Sequence, residues 1–283
     1  MSTILGNDVS FYQEEINFDT FKNNANFIIE KASEGIGLRD PQFTRNQSEA
    51  RRVGIPVGYY DFSHPELNDP IKEADYFLQQ IGALQNGEVL FLDYEPKVKV
   101  HAHVDWCKQW LDYVTQKTGC KPLIYMSEST TTLFDWQSVV DAGYGLWIAK
   151  YLDNPTPNFT GFNTGKWPFA AVYQWTNKQQ VPGISPVTDG DIFYGDQATF
   201  KKYGYHGSGT PTPLPPVPPT AHGDQTLVDL GDLGIQQIQA IRSKLKDMQQ
   251  TIINQQSQIS SFSIKNFTNT EILADIGRRL TGG

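Results

Sequence analysis

The sequence predicts an α/β fold, a modified TIM-like (β/α) barrel with irregular final strands, then a proline-rich linker and a C-terminal helical segment. Three observations carry this. Short apolar runs alternate with helical patterns from residue 1 to about 205, as in parallel βα units. Acidic residues recur at the ends of those runs, and the periodicity changes character after a proline-dense stretch. The strand candidates are "TILGNDVS", "NFIIEKAS", "IPVGYYDF", "VLFLDYEP", "PLIYMS", "LWIAKY", "AAVYQWT" and, more weakly, "SPVTDGDIF". Asp40-Pro41 and Asp69-Pro70 each place an N-cap residue before a proline at the first helical position. Helices fall chiefly between the earlier strands, so the final third is expected to be irregular.

In a barrel of this kind the working groups sit at the C-terminal strand ends. Asp8 lies near the end of the first strand, Asp61 near the end of the third, and Asp93 with Glu95 at the end of the fourth. Asp189 and Asp191 belong to the last. A closed barrel would bring these acids to one rim. In "FLDYEP", residues i and i+2 project to one face, so Asp93 and Glu95 share a site and Tyr94 points away. Adjacent carboxylates repel and raise each other's proton affinity, which costs stability and suits proton chemistry; the plain alternative is a solvated acidic strand end. Aromatic residues near the strand ends (Tyr60, Tyr125, Trp147, Tyr151, Trp175) suit packing against sugar C–H faces, with Gln174 as a polar contact; core packing is the alternative for any one of them.

Composition narrows the function. The 283 residues are 39% hydrophobic and 12% aromatic, enough for a sizeable core. A net charge of −8 argues against nucleic-acid binding, which needs clustered Lys and Arg. The N-terminus "MSTILGNDVSFYQ" has no basic region followed by a long apolar one, so no signal peptide and an initial cytoplasmic location are expected. No apolar run is long enough to span a bilayer, so no membrane insertion is expected. Cys107 and Cys120 are expected as free thiols, with one bridge between them the alternative. The histidines lack H-x-x-H and H-E-x-x-H spacing, the cysteines lack C-x-x-C, and no Walker or Rossmann glycine motif follows a strand, so no metal or cofactor is expected.

The organisation expected is a barrel over residues 1–206, a linker over 207–223 and a helical tail over 224–283. The linker, "GSGTPTPLPPVPPTAHG", reads as extended and semi-rigid. In the tail, Ile238, Leu245, Ile252 and Ile259 fall at heptad a positions, and Ile241, Met248, Gln255 and Phe262 at d. That seam predicts a homo-oligomer through a short coiled coil; a single helix packed on the barrel, or a wall-targeting module, are the alternatives. Residues 270–280 read as a second short helix capped by Thr270.

Several stretches together, "DVSFYQEEINFDTFK", "FIIEKASEG", "DPQFTRNQSEARRVGIPVGYYDF", "FLDYEP", "LWIAKY" and "YQWT", resemble glycoside hydrolase family 25 in order and spacing over about residues 3–205. The resemblance implies a lysozyme of phage-endolysin type, hydrolysing the β-1,4 bond between N-acetylmuramic acid and N-acetylglucosamine in bacterial peptidoglycan. It puts the general acid on Glu95 and matches Asp93, Asp8 and Asp189 to the family's other acidic positions. Two departures stand out. Asp61 occupies a position where the family more often has histidine, and it could join the acidic rim or serve as a structural hydrogen-bonding partner. "VTDGDIF" replaces a V-D-x-N-x-F pattern, so Asp189 is the match by alignment on Phe193, with Asp191 the alternative if the register slips. A chitinase-like motif fails because its earlier aspartates would fall on Glu88 and Phe91. A catalytically silent glycan-binding barrel is the rival from another class.

Overall fold

The computed structural model describes residues 2–207, apart from residues 158 and 186. The linker and tail expectations, including the seam residues Ile238, Ile241, Leu245, Met248, Ile252 and Ile259, lie outside the described residues. In chain order the elements are β1 (Ile4–Val9), α1 (Phe18–Phe21), β2 (Phe27–Glu34), β3 (Leu38–Arg39), α2 (Phe43–Val53), β4 (Val57–Phe62), α3 (Pro70–Ile81) and β5 (Val89–Asp93). They continue with α4 (Ala102–Thr118), β6 (Leu123–Ser127), α5 (Glu128–Thr131), α6 (Gln137–Asp141), β7 (Gly145–Ala149), β8 (Val172–Gln179), β9 (Thr188–Phe193) and α7 (Gln197–Lys202).

The strand order β1-β9-β8-β7-β6-β5-β4-β2, closed by β1 on β2, makes an eight-stranded barrel, with β3 added beside β2. All neighbours in the ring are parallel except around β9, which runs antiparallel to both β1 and β8. Only residues 180–187 join β8 to β9, too few for a parallel crossover, so the chain turns straight back. It is therefore the N-terminal end of β9 that meets the C-terminal ends of the other strands.

Strand alternation sorts the core into two layers. Phe27, Ile29, Tyr60, Phe91, Leu123, Tyr125, Trp147, Val172 and Phe193 fill the barrel interior, and Phe200 of α7 plugs the end where the parallel strands begin. Ile28, Tyr59, Leu90, Leu92, Ile124, Leu146, Ile148 and Tyr173 point outward against the helices. The interior is crowded enough to demand glycine: a Cβ on Gly6 would stand 2.6 Å from the Phe27 ring, and one on Gly58 2.5 Å from Phe91.

Helix starts follow the capping chemistry at one of the two expected places. Asp69 caps α3, accepting from Ile71 N and Lys72 N, with Pro70 in the first turn. Asp40 does not open α2, which begins at Phe43. Its carboxylate instead accepts from Gln42 N at 2.9 Å and from Phe11 N at 2.8 Å, tying the turn after β1 to the loop before α2. Cys107 and Cys120 are buried free thiols.

Candidate active site

The barrel rim gathers carboxyls from three strands. β5 ends at Asp93, which is buried. Tyr94 turns outward, its ring edge-on to Trp136 and its hydroxyl 3.1 Å from His103 Nδ1, and Glu95 follows on the cleft side at the solvent. β1 supplies Asp8, and β9 supplies Asp189 and Asp191, two residues apart on its inner face. Gln174 of β8 joins them: its Nε2 donates to Asp8 Oδ2 at 2.8 Å, and its Oε1 accepts from Tyr125 Oη at 2.8 Å and Tyr151 Oη at 2.6 Å. Asp191 accepts from Trp147 Nε1 at 2.9 Å through Oδ1.

Crowding acids in a partly dry cleft raises every one of them. Burial lifts Asp93 well above the usual carboxylate range, Glu95 and Asp8 add to this, and the Lys31 ammonium opposes it. Burial also raises Glu95, against the pull of Lys99 and Lys31. Asp189 is pushed up to about 9 by burial and then by Asp8. Asp191 is pushed up to about 8, chiefly by burial. Burial and then Asp191 raise Asp8 well above its ordinary value. The cleft therefore holds protons at neutral pH instead of five full charges. It can deliver a proton to a leaving oxygen and set negative charge against a cationic transition state.

Not every residue singled out from sequence belongs to this cleft. Asp61 is wholly buried on the outer side of β4, accepting from Ser33 Oγ at 2.6 Å and facing Glu73 of α3. Strand parity explains it: Tyr60 points into the barrel, so Asp61 points out. Of the two roles open to it, the structural one is occupied. Trp175, next to Gln174, likewise packs outward against the helix-side core. Trp147, 2% exposed, is a floor of the barrel, held edge-on by Tyr60, Phe91 and Tyr125, and offers no open face for a sugar. Tyr60 and Tyr125 are buried beside it. Tyr151, 48% exposed, is the one of the five that presents a substantial surface.

One contributor went unread in the sequence. Lys31 follows Phe27 and Ile29 on the inner face of β2, pairs with Glu34 Oε2 at 2.6 Å and lies 4.8 Å from the centre of the Phe62 ring. Its parity with Phe27 was the available signal. Among the described residues no group of three or more His, Cys, Asp or Glu is arranged to hold a metal ion. A concavity of about 650 Å³ lies at the opposite end of the barrel, lined by Cys120, Tyr144, Trp167, Phe169, Tyr203 and His206. It has no carboxylate in its lining, and the acid chemistry sits elsewhere.

A β/α barrel with aspartates and a glutamate converging at its rim is the architecture of a glycoside hydrolase. The chain belongs to glycosyl hydrolases family 25, whose sequence profile matches residues 7–184. The uncharacterized protein YegX of Escherichia coli O157:H7 is 31% identical over 211 residues, covering 71% of this chain and 73% of that protein. Lysozyme M1 of Streptomyces globisporus is 26% identical over 211 residues, 70% of each chain. Among solved structures, the catalytic domain of endolysin ply40 from bacteriophage P40 of Listeria monocytogenes aligns with a TM-score of 0.57 at 26% identity, covering 72% of this chain and 98% of that one.

Proposed function

We propose that this peptidoglycan hydrolase is an N-acetylmuramidase, cleaving the β-1,4 bond between N-acetylmuramic acid and N-acetylglucosamine, with Glu95 as the general acid. The observation that carries the reading is the contrast within "FLDYEP". Glu95 is reachable from solvent yet raised towards the protonated form, while its neighbour Asp93 is buried with Oδ1 free of any hydrogen-bond partner. An acid at the mouth can meet a glycosidic oxygen. A buried carboxyl with an unused oxygen suits an acetamido N–H, so Asp93 is read as orienting the substrate's 2-acetamido group for attack at the anomeric carbon. The residual negative charge of the carboxyl cluster faces the oxocarbenium-like transition state.

The test is digestion of purified peptidoglycan by the full-length chain, followed by borohydride reduction and identification of the new reducing ends. N-acetylmuramic acid at those ends supports the proposal. New N-acetylglucosamine ends, or binding with no reducing sugar released, would overturn it.

The likeness to the ply40 endolysin domain supports a role in host lysis, with the enzyme made in the host cytoplasm and acting on the wall once released. The heptad pattern from Ile238 to Phe262 supports a tail that assembles copies of the chain and multiplies weak wall contacts. Light scattering is expected to give a multiple of 31.9 kDa, falling to a monomer when residues 224–283 are removed. A monomeric full-length chain at micromolar concentration, with an isolated tail that binds walls, would replace assembly with wall targeting.

A further inference from the structure

Deep in the cleft, carboxyls from two neighbouring strands meet, and no cation among the described residues acts on them. β1 and β9 pair antiparallel with Gly6 opposite Asp191, so Asp8 lies diagonal to Asp191 on the same inner face. On the other side of β9, Gln174 stands opposite Asp191. Asp191 is wholly buried. One of its oxygens, Oδ1, accepts the Trp147 Nε1 hydrogen at 2.9 Å, and the other, Oδ2, has no hydrogen-bond partner. Asp8 uses Oδ2 to accept from Gln174, and its carboxyl is also within hydrogen-bonding reach of Asp191 and of Asp189.

Among the described residues, the groups acting on the pair give no compensating charge. Asp189 of β9, Asp93 of β5 and the Tyr60 and Tyr151 hydroxyls act on one or both carboxyls, whereas Trp147, Gln174 and the Asp8 backbone N–H contribute neutral donors. Two bare carboxylates here would combine repulsion in a low dielectric with an orphaned buried oxygen, each costly. One proton between them removes a charge and gives Asp191 Oδ2 its partner.

We propose that Asp8 and Asp191 form a proton-sharing carboxyl pair, in which Asp191, anchored by Trp147, is a positioning residue that fixes Asp8 in the cleft. Asp191 receives the hydrogen bonds and Asp8 carries the proton: the contact raises the proton affinity of Asp8 and lowers that of Asp191, which burial otherwise raises. The pair keeps Asp8 neutral and holds it in place, which limits the charge of the cleft. The functional part rests on this cleft being the hydrolytic site; the pairing itself can be measured without turnover.

The experiment is a ¹³C carboxyl NMR titration of the full-length chain, with Asp8 and Asp191 assigned through Asp8→Asn and Asp191→Asn. In the wild type, the two resonances should titrate together in two steps, the upper at least about two pH units above an ordinary aspartate. In Asp191→Asn, whose amide can donate to Asp8, the Asp8 midpoint should fall by about two units or more, and the alkaline limb of the pH–rate profile should move in the same direction. Asp8→Asn should collapse the two-step titration of the Asp191 resonance to a single step, and it carries the test alone should Asp191→Asn fail to fold. Independent titration of the two groups, or an Asp8 midpoint moved by less than about half a unit in Asp191→Asn, would overturn the pairing. A wild-type chain that hydrolyses no peptidoglycan would instead defeat the functional reading and leave the titration result intact.

Discussion

Gln174→Met tests whether the cleft is held by the hub described above. Gln174 is 3% exposed and serves three partners, Asp8, Tyr125 and Tyr151. Methionine preserves most of the volume and removes every hydrogen bond. The Tyr151 hydroxyl, on a half-exposed ring, can turn to water. The Tyr125 hydroxyl and Asp8 Oδ2 are buried and cannot, so two groups are left unsatisfied. At about 1–3 kcal/mol each, the loss is about 2–6 kcal/mol, a large share of the roughly 5–15 kcal/mol that holds a domain together. Urea unfolding followed by tryptophan fluorescence reads this directly, and hydrolysis should fall as Asp8 loses its orientation. Gln174→Glu keeps both tyrosines satisfied but sets a carboxylate against Asp8, so its penalty should grow between pH 5 and pH 8. A Gln174→Met protein within about 0.5 kcal/mol of wild type would refute the hub as a structural element.

Two further perturbations address the carboxyls outside the cleft. Glu30 is buried on the helix side of β2, both oxygens lack partners, and burial and then Glu88 raise its carboxyl well above the ordinary range. Because the folded value exceeds the unfolded one, the stability tied to neutral Glu30 is full below about pH 4.3 and is lost as pH rises towards the folded value. Glu30→Gln should remove up to about 1.4 kcal/mol per pH unit of that slope, measured by urea unfolding from pH 4 to pH 8, and identical slopes would contradict the burial argument. Asp61→Asn should retain hydrolysis within a few-fold and change stability by less than about 1 kcal/mol, since Asp61 serves Ser33 and Glu73 and not the cleft. A folded Asp61→Asn without activity would return that residue to the site.

Much of the barrel is legible in the sequence, for physical reasons that also mark where legibility stops. The eight ring strands stand out because each is a short β-branched or aromatic run bounded by turn residues. The direction of β9 is readable too, since residues 180–187 cannot hold a crossover helix, but apolar patterning alone says nothing of direction. Facing is harder. β4 is buried on both faces, so its run "VGYYDF" gives no polar–apolar alternation to tell that Tyr60 enters the barrel and Asp61 leaves it. The same ambiguity hides Trp175 behind Gln174. Asp8, Asp93, Glu95 and Asp189 are legible as acids at strand ends, whereas the Asp191–Trp147 hydrogen bond joins residues far apart in the chain, a pairing that appears only when the barrel closes. The Asp40 cap follows the same logic, because its second partner, Phe11 N, comes from the turn after β1.

The central claim is that Glu95 delivers the proton that breaks the glycosidic bond. Glu95→Gln is isosteric and cannot do so, and Glu95 lies at the cleft mouth where an amide is easily hydrated. The most direct measurement is the initial rate of reducing-sugar release from purified peptidoglycan by wild type and Glu95→Gln at equal protein, with matched circular dichroism spectra. The account predicts a fall of about two to four orders of magnitude, the size of general-acid assistance. A Glu95→Gln rate close to that of wild type, with the fold unchanged, would contradict it.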